Sequence, residues 1–215
     1  MMGMVGRNQR VCYKKSSFYQ SLTPRINQSR LHHSLDQKSG DKMHVVFIRH
    51  GEPSYEHVTR KNFVGHGRDL AELSPKGIKQ AEQVAKDDRL KSADLILSSP
   101  YTRTLQTAAI ISKSTGLNIK VETDLHEWLP DLTYQNSGFE HFIELIKEVK
   151  HFNGSHNTNC KYQWESFSNV RNRAEEVLIK YVACMRIVVV THKILISQFV
   201  TQDKIPYCGI FEIEI

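Results

Sequence analysis

From Met43 onward, short apolar runs alternate with stretches of mixed character. His44-Val45-Val46-Phe47-Ile48 is continuous and rich in β-branched residues, the pattern of a strand buried on both faces. Asp94 to Ser98 and Arg186 to Thr191 repeat that pattern, and Ile119 to Leu125 predicts a third strand between them. Gly209 to Ile215 differs. Phe211, Ile213 and Ile215 alternate there with Glu212 and Glu214, so one face is wet and an edge or antiparallel strand is expected.

Between these runs the apolar period becomes helical. Ser74-Pro75 opens a helix with serine as N-cap and proline in the first turn, and Ile78, Ala81, Val84 and Ala85 form its apolar face. Ser99-Pro100 repeats the opening for a helix to about Ser114, closed by Gly116 as a left-handed cap. Ser137-Gly138-Phe139-Glu140 reads as a capping box before Phe142, Ile143, Ile146 and Val149. A last helix carries Val170, Ala174, Val177, Leu178 and Tyr181. Strands alternating with helices predict an α/β fold. The expected form is a three-layer sandwich, a mostly parallel central sheet with helices on both faces and an antiparallel edge strand.

Residues 1–42 stand apart. They have no apolar periodicity, hold no acid before Asp36, and lack the apolar core of a secretory signal. A disordered basic tail, an organellar transit peptide or an upstream start are the readings open; composition favours the tail or the start, with Met43 as the natural beginning of a domain over 43–215. This segment also explains the net charge of +6, because it carries eight Lys/Arg against two acids while 43–215 balances 21 against 21. A nucleic-acid or membrane-surface partner therefore loses its electrostatic support. No apolar run reaches the ~18 residues that a membrane span needs. The four cysteines (Cys12, Cys160, Cys184, Cys208) show no paired spacing and read as free thiols of a reducing, cytoplasmic setting. His32, His33, His57 and His66 have no partner at metal-ligand spacing, so neither a metal nor another cofactor is expected. Oligomeric state leaves no pattern to read.

In a sheet of this kind ligands bind at the carboxyl ends of the strands. After the first strand come Arg49-His50-Gly51-Glu52, and after the second Ser98-Ser99-Pro100-Tyr101-Thr102-Arg103. His126 and Glu127 follow the third strand, and His192 follows the fourth. A neutral imidazole is a capable nucleophile toward phosphorus, and guanidinium groups match phosphate oxygens with forked donors. Arg103 falls in the first turn of its helix, where unpaired N–H groups also favour an anion. A glycine beside the nucleophile lets backbone approach ligand closely. A carboxyl with a raised pKa can protonate the leaving oxygen.

Val46-Phe47-Ile48-Arg49-His50-Gly51-Glu52 resembles the signature of the histidine phosphatase superfamily, which includes the cofactor-dependent phosphoglycerate mutases. Ser98 to Ala108 is similar to that superfamily's second block, Leu125-His126-Glu127 to the block with the acid, and Val189-Val190-Thr191-His192 to the block with the second histidine. The resemblance implies a phosphohistidine on His50, a phosphate held by Arg49, Gly51, Arg103 and His192, and Glu127 as proton donor in preference to Asp124 or Asp131. It implies an enzyme acting on a phosphorylated small molecule. Thr107 and Gln106 read as helix packing and polar surface, and Arg60, Lys61, His66 and Arg68 as a solvated face before substrate contacts. Trp128 and Trp164 divide evenly between pocket wall and packing.

Three departures qualify the resemblance. Lys193 stands where the family usually has glycine after the second histidine, and it either adds a cation or crowds His192. Pro53 fixes a different path after the first block, and the stretch from Leu129 to Gln163 that should cover the pocket is short. Both loop features favour a phosphatase, with a phosphoglycerate mutase and a weakened phospho-ligand binder as rivals. A chain starting at Met43 is expected to keep full activity. Loss of turnover on that truncation would make residues 1–42 part of the working enzyme.

Overall fold

A computed structural model of the chain describes residues 42–63, 65–134, 139–202 and 204–215. Residues 1–41 and the Ser137-Gly138 start of the expected capping box lie outside the described residues. In chain order the elements are β1 (His44–Arg49), β2 (Pro53–Ser54), α1 (Glu56–Arg60), β3 (Glu72–Leu73), α2 (Pro75–Val84), β4 (Leu95–Ser98) and α3 (Thr102–Thr115). They continue with β5 (Ile119–Val121), α4 (Phe139–His151), α5 (Phe167–Ile179), β6 (Arg186–Thr191), α6 (Lys193–Ser197) and β7 (Ile210–Glu214). Short 3-10 turns fall at Gly65–Leu70, Asp88–Leu90 and Thr123–Leu125.

The main sheet runs β5-β4-β6-β1-β7. Its pairings are parallel except that β7 returns antiparallel to β1 at the edge. This is the expected sandwich, because helices cover both faces. Val45, Phe47, Ile187 and Val189 pack under Leu145 and Val149 of α4, Val170, Ala174 and Val177 of α5, and Leu195 of α6. Val46, Ile48, Ile96, Val188 and Val190 face Val84 of α2 and Ala108 and Ile111 of α3. Successive residues of each central strand therefore serve opposite cores, which is why those strands read as unbroken apolar runs.

Several local expectations change. The third strand ends at Val121, and Thr123–Leu125 winds into a 3-10 turn. The second helix starts at Thr102 rather than after Ser99, because the Ser99 hydroxyl is engaged by His192 at 2.7 Å. Gly116 caps that helix at φ 76° as expected. Ser74 caps α2 as expected, accepting from the Gly77 N–H at 3.0 Å. Ile78, however, is 42% exposed, because α2 buries the Gly77, Ala81 and Val84 stripe instead. In α4, Phe142 and Ile143 are exposed and the helix meets the core through Leu145 and Val149, toward its C-terminal end. The β2–β3 pair, α1 and α6 are too short for periodicity to announce.

The α2 stripe is dictated by a close approach to the loop after β1. A Cβ on Gly77 would stand 2.1 Å from the Glu52 carbonyl oxygen, and one on Gly51 would stand 2.5 Å from the Gly77 carbonyl oxygen. Ala replacing Gly inside a helix ordinarily gains stability, by up to about 1 kcal/mol. Here Gly77→Ala is expected to lose roughly 1–3 kcal/mol through the backbone clash, read as a lowered denaturation midpoint. A neutral or stabilising outcome would show that α2 can retreat from Glu52.

Candidate active site

The register of the central strands sets the site. Arg49 of β1 lies beside Thr191 of β6, so the next residue on each strand, His50 and His192, leaves the sheet side by side. Their ring centroids are 5.2 Å apart in an edge-on arrangement. Both are buried, His192 completely. β4 delivers the third component: after Ser99 the chain turns into α3, whose first turn carries Arg103.

Hydrogen bonding fixes the protons. His50 Nδ1 lies 2.7 Å from the Gly51 carbonyl oxygen, which can only accept, so Nδ1 carries the hydrogen and Nε2 its lone pair. Arg103 Nε donates to that lone pair at 3.3 Å. Arg103 Nη2 donates to His192 Nδ1 at 3.4 Å, leaving His192 Nε2–H to donate to the Ser99 hydroxyl at 2.7 Å. Burial, reinforced by the Arg103 charge, lowers the His50 pKa to about 3 and holds His192 well below its usual value. Both rings are therefore neutral at physiological pH.

Arg49 approaches from the other side. Its Nη1 donates to the Ile205 carbonyl at 2.7 Å, and its guanidinium lies 3.9 Å from the centre of the Tyr207 ring. Arg49 Nε is buried without a hydrogen-bond partner among the described residues. The close approach at Gly51 is to α2 and α3 and not to a ligand. The Gly51 N–H donates to Thr107 Oγ1 at 3.1 Å, and Thr107 in turn donates to the Arg103 carbonyl. Thr107 thus ties the His50 loop to α3, and Gln106 accepts the Leu73 N–H rather than facing solvent freely.

Glu127 is half-buried at the C-terminal side of the Thr123–Leu125 turn. Its carboxyl accepts from the Trp128 N–H at 2.9 Å and the Ile194 N–H at 3.3 Å. Burial raises its pKa, against those backbone donors and the Arg103 charge. The rival acids are elsewhere engaged: Asp124 is exposed, and Asp131 accepts from Thr133 within its own turn. Trp128 and Trp164 are buried, with their indole N–H groups donating to the Glu165 carbonyl and to Glu148, so both belong to the packing. Lys193 is exposed at the start of α6, and His192 keeps both of its hydrogen bonds beside it. Among the described residues no group of three or more His, Cys, Asp and Glu side chains could hold a metal.

Sequence reasoning missed two members of this cluster. Asp69 accepts from Arg103 Nη1 and Nη2 at 3.3 and 3.4 Å, and contacts the exposed His66 at 3.3 Å. It sits in the polar segment read as a solvated face, and its pairing is long-range. Tyr207 lies on Arg49 and 5.7 Å from the His50 ring. The antiparallel return of β7 brings it there, and Pro206 to Gly209 carries a turn signal but no chemical one.

Residues 45–203 match the profile of the histidine phosphatase superfamily (branch 1), and the chain belongs to that superfamily. A Hydrogenobacter thermophilus protein named as a phosphoserine phosphatase is 30% identical over 105 residues, 49% of either chain. A Proteus mirabilis protein named as a phosphoglycerate mutase is 34% identical over 87 residues, 40% of this chain and 38% of its own. The chain thus spans about half or less of the curated relatives it matches. Among solved structures, a mycobacterial glucosyl-3-phosphoglycerate phosphatase in complex with VO3 superposes with a TM-score of 0.60 at 21% identity, over 79% of this chain and 90% of that one. Bacillus stearothermophilus YhfR gives 0.62 at 19% identity, over 80% and 91%. At such identities the likeness is one of fold.

A histidine held neutral by burial binds fewer protons than the unfolded chain. His50 therefore contributes stability fully above the unfolded pKa near 6.5, and this contribution falls away as pH drops toward about 3. The wild type is expected to lose on the order of a few kcal/mol between pH 7 and 4 from this source. Urea denaturation of His50→Gln should show a flatter loss over that interval. An equal slope in both proteins would place the acid sensitivity elsewhere.

Proposed function

We propose that the chain is a metal-independent phosphomonoesterase working through a covalent phosphohistidine on His50, with its catalytic unit in residues 43–215. The observation that carries this reading is the state of His50: a buried, neutral imidazole whose tautomer leaves Nε2 nucleophilic, facing a guanidinium. The same cluster supplies what a phosphoryl group needs. Arg103 and Arg49 offer fixed cationic donors, including the buried Arg49 Nε that no acceptor among the described residues takes. Such preorganised donors stabilise charge building on the equatorial oxygens. A phosphate dianion beside His192 would oppose the burial and the Arg103 charge that keep this ring neutral, and would favour the imidazolium, in which both ring nitrogens donate.

In the first step His50 Nε2 bonds to phosphorus as the P–O bond to the alcohol breaks, and the leaving oxygen takes the Glu127 proton. In the second step water attacks phosphorus, Glu127 takes its proton, and the N–P bond breaks. Inorganic phosphate and free His50 result. Burial of Glu127 favours the protonated form that the first step requires. A small phosphorylated molecule is the substrate class to which the names of the relatives point. The mutase reading draws on a relative so named, and the outcome below separates the two.

Given an aryl phosphate, the wild type is expected to turn over and to yield an acid-labile, base-stable phosphoenzyme on rapid quenching. His50→Ala should abolish labelling and lower kcat/KM by about 10³-fold or more. Labelled enzyme that passes phosphate only to phosphoglycerate would make the protein a mutase. Unchanged labelling in His50→Ala would remove the nucleophile assignment.

A further inference from the structure

Arg173 lies in α5, yet its side chain is only 13% exposed and none of its guanidinium bonds serves its own helix. It reaches across to the segment carrying Glu127. There it donates to the carbonyl oxygens of Asp124, His126 and Glu127, the last two at 2.9 and 3.3 Å. Its Nε and Nη2 form a forked pair with Glu165 at 2.6 and 3.1 Å. Glu165 is 8% exposed at its side chain and grips the same segment from beyond Glu127. Its Oε2 accepts the Leu129 N–H at 3.1 Å, its carbonyl accepts the Trp128 indole N–H at 2.6 Å, and its own N–H donates to the Leu129 carbonyl at 3.0 Å.

Residues 124–129 are a 3-10 end followed by irregular chain, so no ladder satisfies these backbone groups. The Arg173–Glu165 pair takes that place on both sides of Glu127. A buried ion pair is weak evidence of net stability, since apolar replacements often do as well. What the fork does supply is geometry, because a planar guanidinium with five donors fixes three carbonyls at once. We propose that Arg173 and Glu165 are positioning residues that hold the Glu127 backbone so that its carboxyl faces the phosphoryl site. The inference rests on the reading of Glu127 as proton donor.

A misaimed acid harms only reactions that need its proton. The discriminating measurement is the single-turnover rate of His50 phosphorylation, compared between an alkyl phosphate and a dinitrophenyl phosphate whose leaving group departs unprotonated. Arg173→Lys keeps the charge and loses the fork. It is expected to slow the alkyl substrate roughly 10- to 100-fold and the dinitrophenyl substrate less than about threefold. Glu165→Gln should behave alike. Glu127→Gln should show the same selectivity more strongly, and adding Arg173→Lys to it should cost nothing further with the alkyl substrate. Equal losses on both substrates, no loss on either, additive losses in the double variant, or failure of both single variants to form phosphoenzyme would each overturn the positioning role. If Glu127→Gln itself lacks leaving-group selectivity, the assignment of the acid falls first, whatever Arg173 does.

Discussion

Arg103 carries a charge it cannot lose into a place with almost no water. Burying a guanidinium is tolerable only when its donors find acceptors, and this one finds the Asp69 carboxylate and the lone pairs of two imidazoles. The arrangement constrains everything around it. If either histidine were protonated, it would lose the lone pair Arg103 uses and set a second cation against the first. Both rings must therefore dispose of their single N–H elsewhere, and the Gly51 carbonyl and Ser99 hydroxyl are the groups that take it. Arg103, the proposed phosphate-binding cation, thus also fixes the tautomer of His50, the proposed nucleophile.

The sheet makes this cluster geometrically cheap. β1 and β6 are adjacent and parallel, so two strands ending in register present two histidines at the same level without any special loop. β4 lies on the other side of β6 and feeds α3, which puts Arg103 at the rim that β1 and β6 share. The remaining wall is antiparallel. β7 runs back along β1, and the turn before it wraps the strand end, with the Cys208 N–H donating to the Arg49 carbonyl and Ile205 accepting from the Arg49 side chain. Parallel strands supply the chemistry, and the one reversed strand encloses it.

What the sequence makes legible follows the range of the interactions. The central strands are buried on both faces, so their patterns leave one interpretation, and the residues after them fall at one end of the sheet by topology alone. His50, Arg49, Arg103 and His192 could be brought together that way. Asp69 and Tyr207 could not, because nothing local marks an acid in a polar 3-10 turn or a tyrosine in a tight turn as partners of residues far along the chain. Ser99 shows the converse failure. Its Ser-Pro context is a sound helix opening, but a neighbouring histidine competes for the hydroxyl and the helix begins two residues later than Pro100, at Thr102. Ile78 and Phe142 failed because a helix pattern shows an apolar arc wider than the stripe that packing uses.

Glu127 is the point at which the structure holds opposing demands in balance. Its carboxyl accepts N–H groups from Trp128 and from the first turn of α6, contacts that favour the ionised form. Burial acts against them and prevails, so the pKa is raised. The raised pKa favours the protonated carboxyl, which is the form that the proposed first step requires. Glu127 also bears on Lys193. The backbone at the start of α6 is tied to the acid through Ile194, while the Lys193 side chain turns outward. Replacing glycine by lysine at this point thus leaves the His192 hydrogen bonds and the Glu127 contact in place. Nothing in these contacts makes Lys193 a physical ground for a dead site.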